Sequence, residues 1–201
     1  MRLFKTLKRI VRIIIVPLKE WQGIAVESEP LGVIIKYYAW PLIVLSAVAK
    51  AVSIYLNFTD NADLAQFKIP FVFTMLLFDM LGPISVLLLG GLMIGKIGRS
   101  MGATSHQQLS YSLLIYSYTP LFFSTILINT GLNLQYLGLI SIYSIVLFWL
   151  GIEPMLHLPS ERKLGFLIIS VMVLSFLFFA MTLLIRVAIN LLYPEGVVLF
   201  L

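Results

Sequence analysis

Five stretches of the chain stay apolar for long enough to cross a bilayer, with short polar segments between them: residues 34–56, 71–97, 108–129, 134–152 and 164–192. About 20 apolar residues at ~1.5 Å rise cover the ~30 Å hydrocarbon core, so each stretch predicts one spanning helix. Residues 1–33 follow a different pattern. Leu3, Phe4, Leu7, Ile10, Val11 and Ile14 recur at helical spacing, with Arg2, Lys5, Lys8, Arg9 and Arg12 largely opposite. That alternation predicts an amphipathic helix lying in the membrane interface and ended by Pro17, after which Trp21 is placed to anchor at the headgroup level. Arg12 interrupts the apolar run that a signal peptide would need. Residues 193–201 make a short external tail. The expected fold class is therefore all-α: a polytopic transmembrane bundle of five helices, preceded by a short amphipathic interfacial helix.

Composition strengthens this reading. Of 201 residues, 60% are hydrophobic and 11% charged, and the mean hydropathy is +1.02, whereas a soluble domain is roughly a quarter charged. The absence of cysteine removes disulfides, thiolate metal sites and cysteine nucleophiles. His106 and His157 lack a metal-ligand spacing, and no H-E-x-x-H, G-x-S-x-G, phosphate-loop or dinucleotide motif occurs. The expectation is a protein without enzymatic activity, cofactor or metal.

Charge position orients the chain. Arg2, Lys5, Lys8, Arg9, Arg12, Lys19 and Lys36 precede or begin the first span, Lys96 and Arg99 follow the second, and Arg162 and Lys163 precede the fifth. Basic loops stay in the cytoplasm, so the N-terminus is expected inside and the C-terminus outside. The basic face of the first helix, Arg2, Lys5, Lys8, Arg9 and Arg12, comes paired with an apolar one. Its expected partner is anionic lipid of the bilayer rather than nucleic acid.

Within the spans, Asp79 is the residue that most needs a partner, since a carboxylate in hydrocarbon is costly. In this orientation it lies ~12 Å below the outer boundary and Lys50 ~6 Å below it, with Arg186 near the end of the fifth span. Asp79 reads either as a proton or cation site or as a structural ion pair with Lys50 or Arg186, and the pair is the simpler account. Gly82-Pro83 and Thr119-Pro120 fall at similar depth in neighbouring spans and free backbone groups there. With Tyr116 and Tyr118 they outline a candidate polar cavity between the second and third spans.

Several short motifs occur in a telling order: Pro17-Leu18-Lys19-Glu20-Trp21-Gln22-Gly23-Ile24-Ala25, Tyr38-Ala39-Trp40-Pro41-Leu42, Tyr116-Ser117-Tyr118-Thr119-Pro120 and Leu158-Pro159-Ser160-Glu161-Arg162-Lys163-Leu164-Gly165. In these the chain resembles the Yip domain family, over roughly residues 10–185. The resemblance implies five spans with a cytoplasmic N-terminus, and it implies no catalytic residue. Eukaryotic members interact with Rab GTPases and vesicle components through a long polar N-terminal region. The brief N-terminus here is closer to the prokaryotic branch, which implies a prokaryotic cytoplasmic (inner) membrane. The function expected is a non-enzymatic scaffold or partner-binding protein in membrane organisation or trafficking, whose partner is another membrane protein or a second copy. A small transporter or channel using Asp79 and a lipid-binding protein are the alternatives.

Overall fold

The computed structural model describes residues 2–58, 62–130 and 135–193, and among these all regular structure is helical. Five helices are long and apolar enough to cross a membrane: Leu31–Leu56, Lys68–Ser100, Gln107–Ile128, Tyr136–Leu156 and Ser160–Leu192, the first to fifth spans. The turn expected between the third and fourth spans and the tail after Tyr193 lie outside the described residues.

Two helices precede the spans, α1 (Arg2–Ile15) and α2 (Pro17–Glu27). Pro17 separates them by opening α2, where its missing N–H would have had no partner in any case. Ser28, in the left-handed region at φ 39°, turns the chain out of α2. It donates its N–H back to the Ile24 carbonyl, which satisfies one of the open groups at the helix end.

Proline acts differently in each span. In the first, a π turn at Ile35–Ala39 comes just before Pro41, where the proline ring cannot accept a regular helical neighbour four residues back. The second span runs without interruption through Gly82 and Pro83, so the break expected there is absent. In the third, the helix ends at Ser117 and restarts at Thr119, with Pro120 in the first turn of the new segment.

The second and third spans pack through glycine. A Cβ at Gly91 would overlap the Tyr111 ring and one at Gly95 would overlap the Gln107 amide. The bare backbone instead lets Gln107 Nε2 donate to the Gly91 carbonyl at 2.8 Å. This is the small-residue contact that replaces hydrophobic driving force between helices in lipid. On the fourth span, Gly151 makes room for Trp21: a Cβ there would sit 2.8 Å from the indole. The fifth span is peripheral and buries only Phe166, Ser170, Leu174 and Ile189.

The end of the bundle that carries α1 and α2 also carries the loops between the second and third and between the fourth and fifth spans. Arg162 Nη1 ties those two loops together by donating to the Met101 carbonyl at 3.0 Å. At the opposite end Phe58, Phe71, Met75 and Ile189 form a second small core. Thr74 Oγ1 and Tyr193 Oη share a hydrogen bond of 2.7 Å beside it.

Candidate functional site

The most elaborate polar site lies where α1 and α2 meet the bundle, and it is built around Arg9. This side chain is 7% exposed. Its Nε donates to Glu20 at 3.2 Å, Nη2 to Glu27 at 2.6 Å, and Nη1 to Glu29 at 3.5 Å and to the Tyr116 hydroxyl at 3.2 Å. Arg12 adds an ion pair to the second oxygen of Glu20 at 3.1 Å. Burial works against the guanidinium charge. The hydrogen bond to Glu27 and the contacts with Tyr116 more than offset it, so Arg9 is held above the usual arginine range and stays charged.

The forked, planar guanidinium explains why arginine serves here, since one residue engages three carboxylates on two segments and a tyrosine on the third span. Behind it, the Tyr116 ring packs edge-on against Trp21 at 6.3 Å and Tyr38 at 4.4 Å. Tyr38 and Thr119 share a hydrogen bond of 2.7 Å. Gln108 Nε2 donates to the Ser28 carbonyl at 2.9 Å and also to that of Glu29, fixing the link between α2 and the first span.

This placement corrects two sequence expectations. Arg9 and Trp21 were expected at the lipid surface, and both lie inside the protein, Trp21 with no exposure. Arg9 turns inward because Glu20, Glu27 and Glu29 follow it within reach, and Trp21 because Gly151 leaves space for an indole. The rest of α1 divides into two further faces. Ile10 and Ile13 are buried against the bundle, whereas Leu7, Val11, Ile15 and, at the start of α2, Leu18 are 53–70% exposed along one stripe. Lys8, Arg12 and Lys19 are exposed beside that stripe. The side chains of Arg2 and Lys5 lie outside the described residues.

A second polar site lies in the opposite half of the bundle. Lys50 Nζ donates to Asp79 Oδ1 at 2.8 Å, joining the first and second spans. Arg186 is exposed on the fifth span and does not form this pair. The pair lines a cavity of about 340 Å³ together with Gly82, Pro83, Tyr118 and Thr125. Of the residues expected around a cavity, Tyr116, Thr119 and Pro120 are elsewhere: Tyr116 belongs to the Arg9 site, and Thr119 holds Tyr38.

The acids of the Arg9 site, Glu20, Glu27 and Glu29, are not among the residues that the sequence alone marks as a site. The signal for them was present: Glu20, Glu27 and Glu29 form an acidic run directly after a basic helix. Among the described residues no group of three or more histidines and carboxylates is arranged to hold a metal ion.

Comparison with known proteins places this architecture. No curated protein and no solved structure matches the chain significantly. A family model, the Yip1 domain, matches residues 11–182, which take in the end of α1, all of α2, the first four spans and most of the fifth. With five spanning helices and a match over most of its length, the chain belongs to the Yip1 domain family.

Proposed function

We propose that the protein is a non-enzymatic scaffold that organises the membrane around it by pressing a rigidly held amphipathic helix into one leaflet. The observation that carries this reading is the Arg9 site. A free amphipathic helix would settle wherever its two faces were satisfied, but α1 is clamped by an arginine that joins α1, α2 and the third span. The clamp leaves Leu7, Val11, Ile15 and Leu18 outward, flanked by Lys8, Arg12 and Lys19. An apolar stripe bordered by cations is the surface that enters an anionic headgroup layer. The distribution of lysine and arginine supports the cytoplasmic leaflet for this helix, and the likeness to the prokaryotic branch of the family supports an inner membrane.

Pairing of Asp79 with Lys50 favours this reading over transport. The carboxylate is paired with Lys50 across a helix contact, so a lone travelling cation would meet a pair with no net charge.

The test is vesicle shape. Protein reconstituted into liposomes containing phosphatidylglycerol is expected to reduce vesicle diameter or draw tubules, seen by electron microscopy, with a weaker effect in phosphatidylcholine alone. Leu7→Asn with Val11→Asn changes only exposed side chains and is expected to abolish the deformation. Equal vesicle shapes with the parent and the double variant would sink the proposal.

A further inference from the structure

The third and fifth spans do not close on one another. The second half of the third span packs on the first and fourth spans, and the fifth packs on the second and fourth. A groove runs between them. One part is the cavity lined by Lys50 and Asp79, and the other is a cavity of about 280 Å³ lined by Ser117, Ser144, Phe148, Val171 and Leu174. Tyr118, Leu121 and Phe178 border both parts.

Along the fifth span the lining extends from Val171 to Ile185, about 21 Å at ~1.5 Å per residue. One leaflet of hydrocarbon is ~15 Å deep, half of the ~30 Å core. The groove is thus long enough for one acyl chain. Phe178 and Thr182 line it and are also exposed, so it opens sideways at mid-span, where the surroundings are lipid tails.

The polar end of the groove has a specific chemistry. Asp79 Oδ2 is buried and accepts no hydrogen bond from the described residues. Lys50, with its side chain 37% exposed, has N–H donors beyond the one given to Asp79. A neutral ion pair in low dielectric disfavours a guest with net charge, because that charge would stay uncompensated. A guest carrying one charge of each sign leaves every group paired. A quaternary ammonium has no N–H for Oδ2, whereas a primary ammonium does.

We propose that this groove binds one phospholipid with a primary-ammonium headgroup. One acyl chain lies between the third and fifth spans, the phosphate meets Lys50, and the ammonium donates to Asp79. This goes beyond the scaffold reading and does not depend on α1.

The experiment is native mass spectrometry of the purified protein after exposure to equal amounts of phosphatidylethanolamine, phosphatidylglycerol and phosphatidylcholine with matched chains. Phosphatidylethanolamine is expected to be retained about tenfold over the other two, the scale of one charge-assisted hydrogen bond. Asp79→Asn should erase its advantage over phosphatidylcholine, and Lys50→Gln should lower retention of every phospholipid. Equal retention by the parent, a preference for phosphatidylglycerol, or a preference unchanged in both variants would overturn the proposal. Should either variant fail to fold, photoactivatable phosphatidylethanolamine applied to the parent decides. Labelling concentrated at Phe178 and Thr182 supports the groove, and labelling equal to that at the exposed Leu77 and Leu81 contradicts it.

Discussion

Arg9 shows how much a single side chain carries in this protein. It is the cation that the N-terminal helix turns inward, and Glu20 beside it is equally buried at 7% exposure. Removing one partner of such a group leaves uncompensated charge in a poorly solvated place, at a cost of roughly 3–5 kcal/mol. Arg9→Ala is therefore expected to lower the heat-aggregation temperature of the purified protein markedly. Arg9→Lys should fall between the two, because a lysine keeps the charge and loses the fork. A parent-like melting curve for Arg9→Ala would mean that the cluster holds nothing. At this scale the sequence was legible only in part. The partner of Asp79 could be narrowed to Lys50 or Arg186, the bases isolated in apolar runs in the same half of the membrane, and the packing of the first span on the second selects Lys50. Arg9 could not be separated from Arg2, Lys5, Lys8 and Arg12, since all five share one helix and the choice among them is made by Glu20 and Glu27, brought back by α2 after Pro17, and by Glu29 beyond the turn at Ser28.

Among the elements, the second span does most to set the others' positions. Its glycine face takes Tyr111 and Gln107 of the third span, and on a neighbouring face Gly90 lies against Leu174 of the fifth, where a Cβ would come within 2.7 Å. Gly91→Ala should force the Tyr111 ring to move and cost about 1–3 kcal/mol by overpacking, read as a lower unfolding temperature. Gly23→Ala, where a Cβ meets nothing within 4 Å, serves as the control and should leave that temperature unchanged or slightly raised, since alanine suits a helix interior better than glycine. An equal effect at the two positions would contradict the close-packed interface. The small-residue spacing was readable in the sequence, because Gly90, Gly91 and Gly95 stand out in an apolar run. The effect of proline was less readable. Gly82-Pro83 sits within a continuous helix while Pro120 opens a new one, and that difference depends on neighbours contributed by other spans.

Taken whole, the molecule is a five-span bundle with different equipment at its two ends. One end carries the clamped helix pair and the tied loops, and the other half carries the paired Lys50 and Asp79 beside a groove. The number of spans follows from apolar run length alone, which is why it could be read directly. The docking of α1 on the bundle depends also on contacts about a hundred residues away, such as Arg9 with Tyr116, which the neighbouring acidic residues do not encode. The central claim is that α1 is held at the membrane surface with a defined face outward. Because the chain has no cysteine, single cysteines introduced at Leu7, Lys8, Val11, Arg12 and Ile15 carry unique spin labels. Their relative accessibility to oxygen and to a water-soluble nickel chelate, in protein reconstituted with anionic lipid, is the most direct test. Labels at positions 7, 11 and 15 are expected to favour oxygen and those at 8 and 12 the chelate, with the contrast lost in an Arg9→Ala background. Uniform access to the chelate at all five positions in the parent would contradict the account.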